Sequence, residues 1–163
     1  MSLRLLLSAL FAVLLSTSAM AQGASVAFGT IAQDTSLPVE VSSDELSVDQ
    51  QTGTAVFTGN VVIGQGDMRL SAQRVMVVYR ATQDGIAKME ATGGVTLVSG
   101  ADAAESQRAD YDIDDGTIVM RGNVLLAQGA SALSADTMTI RLKDGTARMS
   151  GNVRTRLQTG GKN

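Results

Sequence analysis

The chain predicts an all-β fold, a jelly roll or twisted solenoid of about 14–16 short antiparallel strands stacked along one axis, and three observations carry that prediction. A marker recurs four times, as Gly59-Asn60-Val61, Gly93-Gly94-Val95, Gly122-Asn123-Val124 and Gly151-Asn152-Val153, which sets a repeat of about 29 residues. Around every marker apolar side chains alternate with polar or variable ones, the period of a strand with one buried face. Turn signals close the units: Asp115-Gly116 and Asp144-Gly145 are strong hairpin turns, Thr52-Gly53 is a weaker one, and Asp84-Gly85 stands in an elongated copy.

Residues 1–21 read as a secretory signal, with Arg4 as its positive start, an apolar stretch from Leu5 to Leu15 and Ala19-Met20-Ala21 as a small-residue cleavage site. The exported chain is expected to begin near Gln22 and to be soluble, since the apolar stretch is too short to span a membrane. Residues 22–36 have little periodicity and are expected to form a flexible arm that orders on docking. Residues 37–159 form the single repeat domain, and 160–163 are a tail.

Within the domain a second marker precedes each glycine: Ser42-Ser43-Asp44, Ser71-Ala72-Gln73, Glu105-Ser106-Gln107 and Ser134-Ala135-Asp136. The step from this marker to the next glycine is 17 positions in three copies and 22 from Ser71 to Gly93, a five-residue insertion of the kind that loops accept at low cost. Two residues before each glycine stand Phe57, Ala91, Met120 and Met149, and four before stand Ala55, Met89, Ile118 and Ala147. The inward set continues past the glycine through Val61, Val95, Val124 and Val153, then Ile63, Leu97, Leu126 and Thr155. Ahead of the second marker it holds Val41, Leu70, Ala104 and Leu133; behind it, Leu46, Val75, Ala109 and Met138, then Val48, Val77, Tyr111 and Ile140. Phe57, Tyr79 and Tyr111 are the inward aromatics. The step from Ala72 to Val75 is odd in every copy, so a bulge or corner must sit there. The glycine of the first marker suits a positive φ or a close approach of backbones.

The chemistry of the chain is sparse. It has no His and no Cys, which removes the commonest general base, the commonest metal ligand and the thiol nucleophile, and leaves stability to burial and strand pairing. No nucleophile elbow, P-loop or dinucleotide glycine pattern is present, so an enzyme is not expected. Asp110, Asp112 and Asp114 invite a calcium reading, but the sixth and twelfth positions from Asp110 are Asp115 and Arg121 instead of Gly and Glu. They are expected instead as a solvated stripe on an outer face. Arg4 is the only charge in the leader, so the net −3 of the whole chain becomes −4 without it, and nucleic acid is not an expected partner. Six acidic residues and no Lys or Arg lie between Gln22 and Met68, whereas six basic residues face only Asp144 from Arg141 onward. Such asymmetry favours head-to-tail encounters, or else reflects chance clustering on solvated faces. The inward face, rich in Ala, Val and Met, reads either as a packed core or as an adaptable lining for an apolar partner.

The stretch Leu37-Pro38-Val39-Glu40-Val41-Ser42-Ser43-Asp44-Glu45-Leu46-Ser47-Val48-Asp49, with Ala55-Val56-Phe57-Thr58-Gly59-Asn60-Val61-Val62-Ile63 and Leu70-Ser71-Ala72-Gln73-Arg74-Val75, resembles the LptA/OstA family of periplasmic lipopolysaccharide-transport proteins. The resemblance implies an open, slightly twisted β jelly roll in the periplasm that shields the acyl chains of lipid A in an apolar groove; from the residues themselves no cofactor or metal is expected. On that reading the lipid groove is lined by Val41, Leu46, Val48, Phe57, Val61, Ile63, Leu70, Val75, Val77, Met89, Val95, Leu97, Tyr111, Ile118, Met120, Val124, Leu126, Leu133, Met138, Ile140, Met149 and Val153. The resemblance further implies head-to-tail stacking with copies of itself and with inner- and outer-membrane transport components of the same fold, through edges at Val39 and Val41 and at Val153, Thr155 and Leu157. A ligand-free structural or adhesive solenoid, or a carrier of another apolar ligand, is the alternative.

Overall fold

The computed structural model describes residues 24–28, 36–82 and 84–156, and every helix or strand within them is a strand. The leader, Leu157 and the tail lie outside the described residues. In chain order the strands are β1 (Ala24–Ala27), β2 (Glu40–Ser42), β3 (Glu45–Asp49), β4 (Thr54–Gln65), β5 (Met68–Tyr79), β6 (Ile86–Ser99), β7 (Asp102–Asp112), β8 (Thr117–Gln128), β9 (Ser131–Arg141), β10 (Thr146–Ser150) and β11 (Arg154–Arg156). All pairs are antiparallel neighbours in one sheet, ordered β1-β10-β9-β8-β7-β6-β5-β4-β2, with β3 also on β4 and β11 also on β9.

The strands are fewer and longer than the sequence suggested. Among the described residues there are eleven, and the six from β4 to β9 run 11 to 14 residues each. The reason is the corner. Gly59 and Asn60 together oppose Gln73, since Thr58 pairs with Arg74 and Val61 with Ala72. This two-against-one bulge recurs at Gly93-Gly94 and Gly122-Asn123, and it bends a strand without ending it. Only in the first and last windings does the bend divide the strand, into β2 and β3 and into β10 and β11.

Positive φ makes the bend. Gly59, Gly122 and Gly151 sit at φ 78°, 83° and 75°, and the asparagines that follow at 46°, 49° and 48°, a region Asn tolerates better than most residues. The glycine is required a second time by space. A Cβ at Gly59 would lie 2.5 Å from Asp44 Oδ2, and one at Gly122 the same distance from Gln107 Oε1. The second marker therefore lays its Asp or Gln side chain over the glycine of the first. Asp44 N–H donates to Gly59 O at 2.9 Å and Asn60 Nδ2 donates to Asp44 Oδ2 at 2.8 Å; Asp136, Gly151 and Asn152 repeat both bonds at 2.8 Å.

The corner column folds the sheet into two facing halves. The first half holds β3, β10 and the arms carrying Ala55, Val75, Met89, Tyr111, Ile118 and Met138; the second holds β2, β11 and the arms carrying Val61, Leu70, Leu97, Ala104, Leu126 and Leu133. Two-residue turns at Gly66-Asp67, Gly100-Ala101 and Gly129-Ala130 close the second half, each with a positive φ at its glycine. Part of the arm expected to be flexible is strand instead. β1 pairs Ala24 with Met149 and Val26 with Ala147, and Phe28 enters the core at 3% exposure, because Val26 and Phe28 alternate inward.

Candidate functional site

The two inner faces meet in one continuous apolar interior. Of the residues the sequence places inside, Val61, Ile63, Leu70, Val75, Val77, Met89, Val95, Leu97, Tyr111, Ile118, Met120, Val124, Leu126, Leu133, Met138, Ile140 and Met149 are all buried. Val41 and Phe57 are half-buried against the same core. Leu46 and Val48 are exposed at 57% and 59%, and Val153 at 37%. The central residues, from Val61 through Leu97 and Ile118 to Met149, have no measurable exposure, so the halves are shut on each other through the middle of the molecule. The inward residues left open lie at the two ends of the sheet, Leu46 and Val48 on β3 and Val153 and Thr155 at β11.

Polar bonds tie the shut interior at its open ends, Gln128 Nε2 to Ala27 O at 2.7 Å and one from Tyr111. Tyr111, at the outer end of its arm in the first half, donates its hydroxyl to Gln65 Oε1 of the second half at 2.9 Å. Gln65 Nε2 in turn donates to Leu37 O at 3.0 Å. Burial pushes the Tyr111 hydroxyl up to about 12, so it stays protonated and donates throughout the ordinary pH range. Among the described residues no ladder bond runs between the halves; every strand pair lies within one half or the other on each side of the corner. Among the described residues no buried side-chain polar atom lacks a partner.

Two expectations need correction. Tyr79 is 38% exposed, because the β5–β6 register shifts between Val78 and Tyr79 and turns the ring out of the inward column. The aspartates of β7 and its turn are ion-paired instead of freely solvated: Asp110 holds Arg108 at 2.9 Å and also Arg121, Asp112 holds Lys88 at 3.3 Å, and Asp114 holds Arg80. Glu90 adds a 3.0 Å pair to Arg108, so this outer surface is a neutral network. Gln65 was not singled out from sequence. Its inward parity follows from Val61 and Ile63, but nothing local tells of a partner 46 residues away.

At the proposed edges, Val39 is half-buried and packs on the core, and Thr155 is exposed. Among the described residues no further strand covers β2 and β3, which with the corner between them carry Glu40, Asp44, Glu45 and Asp49, and the other end of the sheet carries Arg148, Arg154 and Arg156. The charge asymmetry of the sequence is thus an asymmetry between the two ends of the sheet. Among the described residues no helix is long and apolar enough to cross a membrane.

Comparison with known proteins agrees with this architecture. A protein of uncharacterised function from Rhizobium meliloti (strain 1021) is 29% identical over 128 residues, 74% of this chain and 69% of its own length. The lipopolysaccharide export system protein LptA of Escherichia coli (strain K12) is 34% identical over 62 residues, which cover 38% of this chain and 34% of that protein. The crystal structure of LptH, described as the LptA-homologous periplasmic component of the lipopolysaccharide transport device of Pseudomonas aeruginosa, superposes with a TM-score of 0.70 at 15% identity over 78% of this chain and 99% of that one. Residues 40–146, most of the folded sheet, match the family of the LptA/(LptD N-terminal domain) LPS transport protein, and to that family this chain belongs.

Proposed function

We propose that this chain carries lipopolysaccharide across the periplasm, holding lipid A acyl chains between the two halves of its folded sheet and stacking head to tail with copies of itself and with inner- and outer-membrane components of the same fold. The observation that carries this reading is the continuity of the apolar column. It runs through every winding of the sheet and emerges at one end as exposed Leu46 and Val48. An interior that served only as a core has no reason to extend beyond its last covered strand.

Entry of a lipid requires the halves to part. Parting them separates apolar side chains and the Tyr111–Gln65 and Gln128–Ala27 bonds but no backbone ladder among the described residues, and an acyl chain then restores the apolar contacts. Five buried methionines, Met68, Met89, Met120, Met138 and Met149, give the lining the pliancy to repack around an irregular chain. At ~0.8 kcal/mol per buried methylene, shielding about half of a twelve-carbon chain is worth roughly 5 kcal/mol, enough to disfavour escape into water. Neighbouring windings offer similar wells, so transit needs only a push from elsewhere.

Photo-crosslinking residues at Val48, Phe57 and Ile140 are expected to label lipopolysaccharide in cells, while those at their outward neighbours Ser47, Val56 and Thr139 are not. Equal labelling of both sets overturns the groove. A second reading is favoured by the zero exposure at the centre: a sealed, ligand-free structural solenoid. Native mass spectrometry after gentle extraction distinguishes them, since the carrier retains lipid mass and the solenoid does not.

A further inference from the structure

We propose that β1 is an internal stand-in for the β3 strand of the next copy, so that the chain covers its own docking edge until a partner displaces the cover. This rests on the head-to-tail reading and adds to it a competitor built into the same chain.

The repeat fixes what belongs beside β10. Its counterpart one turn into the sheet is β4, which lies between β3 and β5, with Phe57 on Val75, Val56 on Met76 and Ala55 on Val77. In β10 the matching residues are Met149, Arg148 and Ala147, and β9 already occupies the β3-like side, with Met149 on Met138 and Ala147 on Ile140. The β5-like side is taken by β1, with Ala24 on Met149, Ser25 on Arg148 and Val26 on Ala147. By the same repeat, Val75, Met76 and Val77 correspond to Leu46, Ser47 and Val48. A second copy continuing the sheet therefore sets Leu46, Ser47 and Val48 on the three residues that Ala24, Ser25 and Val26 now cover. The two segments read Ala-Ser-Val and Leu-Ser-Val, run in the same direction and expose the same parity.

The cover is built to be exchanged. It makes four pairs, all in the first half, and leaves the β11 edge in the second half to β9 alone among the described residues. β3 and β2 of an arriving copy offer five and three residues, with Leu46 in place of Ala24, and the inward Leu46 and Val48 of β3 stand exposed. Until then β1 hides edge amides that would otherwise recruit strands indiscriminately. Phe28 N–H to Gly145 O at 2.9 Å and Gln128 Nε2 to Ala27 O at 2.7 Å hold the cover in place.

The test uses the exported chain with Ser25→Cys and Arg148→Cys, a directly opposed pair in a protein with no other cysteine. A disulfide is expected to form in air. Sedimentation should then show monomer at concentrations where the reduced variant and the unaltered chain form oligomer ladders, and reduction should restore the ladders. Deletion of residues 22–27, which keeps Phe28, should lower the concentration for half-assembly about tenfold, since a tethered competitor acts at high effective concentration. Equal ladders in the oxidised and reduced variant, or failure of the disulfide to form, overturn the cover and leave stacking intact. Absence of ladders from the deleted chain overturns stacking itself, and the cover with it.

Discussion

At Gly59 two demands meet in one atom that is not there. The residue holds φ at 78°, and the space a Cβ would fill belongs to Asp44. Gly59→Ala is therefore expected to lower stability by about 1–3 kcal/mol in urea unfolding, the cost of a non-glycine in a sparsely populated backbone region plus a contact that must shift. Adding Asp44→Ala removes the contact but not the φ, so the double variant should be less destabilised than the two single losses summed; additivity would mean that the aspartate does not crowd the glycine. Tyr111→Phe tests the other singular residue. It deletes the hydroxyl that reaches Gln65 and should cost on the order of 1 kcal/mol. If the halves part for lipid, the same variant should load lipopolysaccharide faster in a stopped-flow transfer assay; an unchanged rate would mean that parting does not pass through this bond. The corner glycines were legible from sequence because the demand on them is local and repeats. The partner of Tyr111 was not, because it is set by how two distant arms face each other.

Among the elements, the hairpin turns of the first half hold three carboxyls lowered by hydrogen bonding. Asp49 accepts from the backbone N–H groups of Thr52 at 3.2 Å and Gln51 at 2.8 Å, which hold its carboxyl below the ordinary 3.8. Asp112 is lowered by the Asp115 N–H and by Lys88, and Asp144 by the Thr146 hydroxyl and N–H. In all three the folded state binds protons less readily than the unfolded one. Their contribution is thus complete above the ordinary carboxylate range and is lost as pH falls through about 4 and below. Asp→Asn at the three positions keeps a side-chain acceptor but cannot titrate. The triple variant should show a flatter fall of thermal midpoint between about pH 5 and 3 than the unaltered chain, and a parallel fall would place the acid response elsewhere. The strand count teaches a related point. The odd step from Ala72 to Val75 revealed the corner, but periodicity does not say whether a corner ends a strand; ladder bonds on both sides of β4 to β9 carry the strands through it, and at the ends they do not. β1 escaped notice because four residues with two inward small side chains give too little pattern to count, and its place was decided by an edge across the whole sheet.

For the whole molecule, the decisive property is that the last winding runs in the direction opposite to the first. β10 and β11 run from the first half to the second, and β2 and β3 from the second to the first, so a second copy placed after β11 continues the antiparallel alternation with its halves aligned. The repeat then dictates the register: Met149 on Leu46, Arg148 on Ser47, Thr155 on Val41 and Arg156 on Glu40 of the following copy, the equivalents of pairs seen between β4 and β5. In this register the exposed Leu46 and Val48 join the apolar column, and a basic edge meets an acidic one. A slip of one residue would turn Leu46 and Val48 to the outer face, so hydrophobic burial enforces the register more strictly than charge does. Chains carrying only Ser47→Cys, mixed with chains carrying only Arg148→Cys and lacking residues 22–27, should give a disulfide-linked heterodimer under mild oxidation, whereas Leu46→Cys with the same partner should give far less. Efficient linkage from both positions would mean that the edges meet without a fixed register, and a groove continuous from one copy to the next could not then be built from them.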